Sequence, residues 1–151
     1  MENEIKNIYK LLQRSFEKNA WHGPAVKEVL ETVTSEHAFK RLPDSHSIIE
    51  LVAHMTSWRI FVMKKLQGDT EYKVTDPMNF PAATDWSKTI EALDKSQVEL
   101  LEAVKAFEAA KLHEIVPHGS HTYSYYTLLH GIIHHDLYHA GQIALIKKQP
   151  F

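Results

Sequence analysis

The chain has 151 residues, with 17 lysines and arginines against 19 aspartates and glutamates, a formal charge of −2, no cysteine and 11 histidines. That balance leaves no basic excess to neutralise phosphates, which argues against a nucleic-acid partner. The missing cysteine excludes a disulfide framework, a thiolate metal site, an iron–sulfur cluster and a cysteine nucleophile.

The length fits one domain, residues 1–151, able to bury a core without staples. The first ten residues carry Glu2, Glu4, Lys6 and Lys10, so they lack the apolar core of a signal segment. No apolar run approaches the roughly 18 residues that span a bilayer. The expectation is a soluble, cytoplasmic protein with no membrane partner. Ile5, Ile8, Tyr9, Leu12 and Phe16 recur at helical spacing and predict an amphipathic helix over 2–18. A shorter helix is expected over 24–33, with Pro24 at its first position. Ser47-Ile48-Ile49-Glu50 is a capping-box pattern that opens a helix over 45–66. It carries one stripe of Ile48, Val52, Met55 and Val62 and another of Leu51, His54, Trp58 and Phe61. The linker over 68–83 is long for a bundle and permits a crossover between parallel helices. A third long helix is expected over 84–108, with Thr84 as N-cap and a seam of Ile90, Leu93, Gln97, Leu100, Val104 and Phe107. The last runs over 124–148, opened by Ser124 and closed by Lys147 and Lys148, which suit a helix C-terminus. Four long helices and almost no strand alternation predict an all-α four-helix bundle.

The chemistry lies on the last helix. Its heptad seam reads Tyr125, Leu128, Ile132, His135, His139, Gln142, Ile146, and two consecutive positions of this core-facing stripe are histidine. Residues four apart share a helix face, so two imidazoles there converge on one point. Burying both without partners costs several kcal/mol, roughly, between them. A divalent ion removes that cost; a satisfied hydrogen-bond network is the alternative. Two ligands rarely hold such an ion, and no His, Asp or Glu follows His139, so the third comes from upstream. His54 is the best candidate, because it lies mid-helix on an apolar stripe. His22, His37, His46, His113, His118 and His121 stand in less apolar or loop settings. Three imidazoles leave coordination positions open, the mark of a catalytic site.

A second pair, His130 and His134, is turned about 100° away and reads as more solvated, with His134 a candidate for the pocket mouth. His135-Asp136-Leu137-Tyr138-His139 has the spacing of the zinc-protease motif, but with the shorter Asp in place of Glu and no downstream ligand. Asp136 reads instead as a surface acid or one that hydrogen-bonds a ligand's far nitrogen, and Glu50 as another such acid in competition with its capping role. Gly131 and Gly141 each cost the last helix about 0.5–1 kcal/mol relative to alanine; close helix approach or ligand access would explain them.

The run His135-Asp136-Leu137-Tyr138-His139-Ala140-Gly141-Gln142-Ile143, with Leu51-Val52-Ala53-His54 upstream, resembles the DinB/YfiT-like superfamily. Trp21-His22-Gly23-Pro24 and His46-Ser47-Ile48 share the likeness, which covers nearly the whole chain. The resemblance implies an up-down-down-up four-helix bundle, often a homodimer, holding nickel or zinc on three histidines. Those fall on His54, His135 and His139. It further implies a metal-dependent enzyme acting on a small molecule, with thiol-dependent S-transfer using a low-molecular-weight thiol as the leading reaction. Metal-assisted hydrolysis comes second, and a non-enzymatic, stress-related metal-binding bundle is the rival class. The ion would activate a bound water or thiol. Trp58 would wall the pocket, with Tyr138, Gln142 and His22 as further substrate-binding candidates.

Overall fold

A computed structural model describes residues 2–117 and 122–150 of the chain. Helix α1 (Glu2–Phe16) buries Ile5, Ile8, Leu12 and Phe16, the face its spacing predicts, and stops two residues short of the expected end. The expected 24–33 helix is shorter, α2 (Val26–Leu30). Pro24 precedes its N-cap rather than opening the helix, because Ala25 gives its backbone N–H to the Glu28 carboxylate at 2.8 Å and so holds the cap. A one-turn helix, α3 (Ser35–Ala38), follows, capped by the Thr34 hydroxyl.

Helix α4 (Ile48–Leu66) starts where the capping box dictates. The Glu50 carboxylate accepts the Ser47 backbone N–H at 2.7 Å and the Ser47 hydroxyl at 2.8 Å, which satisfies a donor the first turn leaves free. The long linker holds a further short helix, α5 (Asp76–Asn79). Helix α6 (Trp86–Ala106) is capped by Asp85 rather than Thr84, one residue later than predicted. Its carboxylate reaches the Lys88 backbone N–H at 3.1 Å. Phe107 falls just past the helix and rests its ring 4.8 Å from that of Tyr125. After a 3₁₀ turn (Ala109–Lys111) and a lone bridge between Ile115 and Ser124, α7 (Tyr125–Ile146) begins, its first turn capped by the Ser124 hydroxyl. Among the described residues there is no strand.

In the bundle, α4 packs on α6 and α7, and α1 packs on the same two. The core forms two clusters. One joins Ile5 and Ile8 of α1 and Leu128 and Ile132 of α7 to the C-terminal parts of α4 and α6 (Val62, Leu100, Val104). The other joins Phe16 and Ile143 to the N-terminal parts (Ile48, Val52, Leu93). That grouping sets α1 and α7 antiparallel to α4 and α6. Each fully buried Leu or Ile contributes about 1.5–3 kcal/mol. Lys27 ties α2 to Asp94 of α6 at 2.6 Å, and Lys147 donates to the Val29 carbonyl at 2.7 Å.

A charged link crosses the interior. Arg59 of α4, fully buried, donates to Asp136 of α7 and to Ser96 and Gln97 of α6, and its guanidinium lies 4.4 Å from the centre of the Phe16 ring. Asp136 is therefore not a surface acid. It is 1 % exposed, because α4 supplies the cation that makes its burial tolerable. Close helix approach does not explain the two glycines of α7 either: a Cβ at Gly131 or Gly141 would meet nothing within 4 Å. No helix is long and apolar enough to cross a membrane, among the described residues.

Candidate metal centre

His54 sits in the middle of α4, and the four-residue step from His135 to His139 puts both on the face of α7 that meets it. Their Nε2 atoms converge: His54 to His135 is 3.0 Å, and His139 to His135 is 3.2 Å. All three donor atoms lie within 4.8 Å of one another. The surroundings fix two of the rings. His54 donates from Nδ1–H to the Asn79 carbonyl at 2.6 Å, and His139 donates from Nδ1–H to Gln142 Oε1 at 2.6 Å. A proton held on Nδ1 leaves the lone pair on Nε2, aimed at the common centre. The far nitrogen of His135 is buried and has no partner among the described residues.

The electrostatics favour the neutral form that ligates. Burial pushes His135 down to about 3, and the neighbouring His139, His54 and Arg59 charges act in the same direction. Burial also lowers His54 and His139, against the opposing effect of their Asn79 and Gln142 hydrogen bonds. A hydrogen-bond network alone satisfies this set poorly. Two of the Nε2 atoms can only accept, so a single proton on His135 Nε2 meets one lone pair and leaves the other facing nitrogen. A tetrahedral cation at about 2.05 Å from each nitrogen needs them about 3.3 Å apart, and the observed 3.0 and 3.2 Å lie close to that spacing. The residues present fit a divalent ion.

The linker completes the site. Asn79, at the end of α5, holds His54 through its carbonyl and accepts Trp58 Nε1–H on its side chain at 2.9 Å. Phe80 stacks on His54, with centroids 4.1 Å apart, and on its other side against His46 at 3.7 Å. The aromatic sandwich covers the ring and excludes water from it. Trp58 stands beside the cluster, 6.0 Å from the His135 ring and 6.3 Å from that of His54. Gln142 touches His139 directly, in the role just described. Tyr138 contacts the His139 ring at 5.1 Å but faces outward, 65 % exposed.

The remaining candidates fall elsewhere. His22 is exposed in the turn after α1, next to a fully exposed Trp21, and no hydrogen bond or ring contact joins it to the cluster among the described residues. His130 and His134 form a separate group with Tyr126, His113 and Glu4. His134 is exposed and does not line the cleft beside the cluster. His37 takes part in the α3 cap. His118 and His121 lie outside the described residues. Glu50 serves its cap and pairs with Arg41 at 3.1 Å, so it supports no ligand. Among the described residues Asp136 accepts from Arg59 and from no histidine. Three residues of the site went unforeseen: Asn79, Phe80 and Arg59. Arg59 carried a signal, since it continues the stripe Val52, Met55, Val62 at core spacing. Asn79 and Phe80 carried only the bracket of Pro77 and Pro81 around them.

A cleft of about 260 Å³ opens beside the cluster between α4 and α7, with His135 and Trp58 in its wall. Three inward imidazoles from two helices, two of them fixed in tautomer, define a helical bundle with a candidate metal centre. The chain belongs to the DinB superfamily: the sequence model of that superfamily matches residues 20–143, a span containing all three histidines. No curated protein matches the chain.

Proposed function

We propose that His54, His135 and His139 hold one divalent metal ion, nickel or zinc, and that the protein is a metal-dependent enzyme acting on a small molecule. The observation that carries this reading is the convergence of three Nε2 atoms, two of them restricted to accepting. When bound, the ion supplies a Lewis acid that lowers the pKa of a water or thiol. The chain's own residues do the rest. Asn79 and Gln142 orient the two imidazoles, Phe80 and His46 shield His54 from solvent, and Trp58 walls the space beside His135. Superfamily membership makes thiol-dependent S-transfer, from a low-molecular-weight thiol to an electrophile, the leading reaction. Metal-assisted hydrolysis is the second, favoured by one observation: among the described residues no Lys, Arg, Asp or Glu lines the cleft beside His135 to pair with the charged groups of a small thiol. The even charge balance supports a small-molecule substrate over nucleic acid. We take the protein to be a cytoplasmic homodimer.

The test is metal content of protein purified without a histidine tag. About one ion per chain is expected, lost in His54→Ala and His135→Ala and kept in His134→Ala. Failure to take up any added divalent ion would sink the reading, and so would full occupancy in the first two variants. Thiol–electrophile and ester-hydrolysis assays with and without chelator then separate the two reactions. Activity that ignores chelation refutes both, and metal without activity leaves the binding bundle.

A further inference from the structure

The cleft between α4 and α7 has a distinctive lining. Trp58 and Phe61 face it from α4, their rings 5.3 Å apart at 69°, and Leu128 and Ile132 face it from α7. Tyr123 and Thr127 add its hydroxyl groups, and among the described residues no Lys, Arg, Asp or Glu lines it. The Trp58 indole N–H is already taken by Asn79, which leaves that ring to offer an apolar surface. An ionised group entering such a space in the metal-free chain loses its water and finds no counter-charge on the lining side chains. A flat apolar group loses nothing and gains contact with two aromatic rings. An apolar cavity of about 150 Å³ accepts benzene, so a cleft of about 260 Å³ takes one ring with a short substituent.

Gly131 supplies the second observation. It lies in the middle of α7, in ordinary helical conformation, where glycine is unfavourable and no packing demands it: a Cβ there would meet nothing within 4 Å. Gly131 lines this cleft. A larger side chain at this position would project into space that is now open, so the glycine keeps the cleft free.

We propose that this cleft is the substrate's apolar subsite, which selects an uncharged single-ring aromatic group and seats it against His135 and Trp58, with Gly131 setting its size limit. The proposal rests on the metal-centre reading only for calling the occupant a substrate; the binding itself does not need the ion.

The test uses the full chain, metal-free and zinc-loaded, titrated with benzyl alcohol and with benzoate and followed by amide and indole NMR shifts. In both forms benzyl alcohol is expected to saturate and to shift the Trp58 indole and the amides near Gly131, and in the metal-free chain, where no ion can hold a carboxylate, benzoate is weaker by about tenfold or more. Gly131→Leu fills the space and should weaken benzyl alcohol by about tenfold or more while zinc stoichiometry stays at the wild-type value. Gly131→Ala, which favours the helix, should give a smaller loss in the same direction and decides the matter if the leucine variant misfolds. Equal binding of the two probes to the metal-free chain, shifts that map elsewhere, or binding unchanged in both variants overturns the proposal. Normal zinc uptake with no probe selectivity removes the subsite and spares the metal centre; selective probe binding without zinc uptake does the reverse.

Discussion

Replacing Asp136 with asparagine tests what joins the two helices that carry the histidines. Arg59 is 0 % exposed and Asp136 1 %. Burial pushes the Asp136 carboxyl up to about 6, while the Arg59 guanidinium that donates to it favours the carboxylate, which balances the cation. Asparagine keeps the shape and removes the charge. Arg59 is then left buried with only neutral acceptors, Ser96, Gln97 and the new amide oxygen, and the face of Phe16. Breaking a buried pair from one side costs about 3–5 kcal/mol, a large share of the roughly 5–15 kcal/mol that holds a domain folded. Removing both charges, as Arg59→Met with Asp136→Leu, strands neither and is expected to cost less than the asparagine variant alone. Urea unfolding of the metal-free protein at neutral pH, followed by far-ultraviolet circular dichroism, measures both against wild type, together with the single variants Arg59→Met and Asp136→Leu. An asparagine variant within about 1 kcal/mol of wild type, or a double variant that costs the sum of its singles, refutes the argument.

Two further outcomes are expected. In the metal-free protein His54, His135 and His139 titrate below the ordinary histidine value of 6.5, His135 at about 3. The unfolded chain therefore takes up protons first, and stability is full above 6.5 and declines toward 3 as pH falls, by no more than about 1.4 kcal/mol per pH unit for each group and less where solvent screens it. Asp136, raised from 3.8 to about 6, acts in the opposite sense across that narrower window. His130 and Glu50 are also lowered and add to the loss as pH falls, so a net fall in the thermal midpoint is expected, and a level or rising midpoint over that range would contradict the neutral-imidazole assignment. Gln142→Ala removes the acceptor that holds the His139 ring and should weaken zinc affinity about 10–100-fold with little change in metal-free stability. A competition titration with a chromophoric chelator reads this, and unaltered affinity would show that the Gln142 contact orients nothing.

The long helices were legible because their signals are local. The 3.6-residue period of Ile5, Ile8 and Leu12, the Ser47–Glu50 cap and the Ser124 cap each act within a turn or two, and the structure keeps them. The convergence of His135 with His139 was legible for the same reason, a step of four on one face. His54 could be nominated from its stripe, but a stripe does not give a distance; only the packing of α4 on α7 brings its Nε2 to 3.0 Å from that of His135. Arg59 was readable and missed: an arginine at a core register position calls for a buried partner as surely as a histidine does. Asp136 was misplaced because a helix register gives only direction, and what stands in that direction belongs to α4. The neighbours Asn79 and Phe80 come from a linker 25 residues along the chain from His54, and no period in that linker points to them. Which faces turn inward can be read from each helix alone, since amphipathic spacing is a property of one helix. Which polar groups meet there, and in which tautomer, was decided only by the tertiary structure, since hydrogen bonds between helices depend on distances that no single helix specifies.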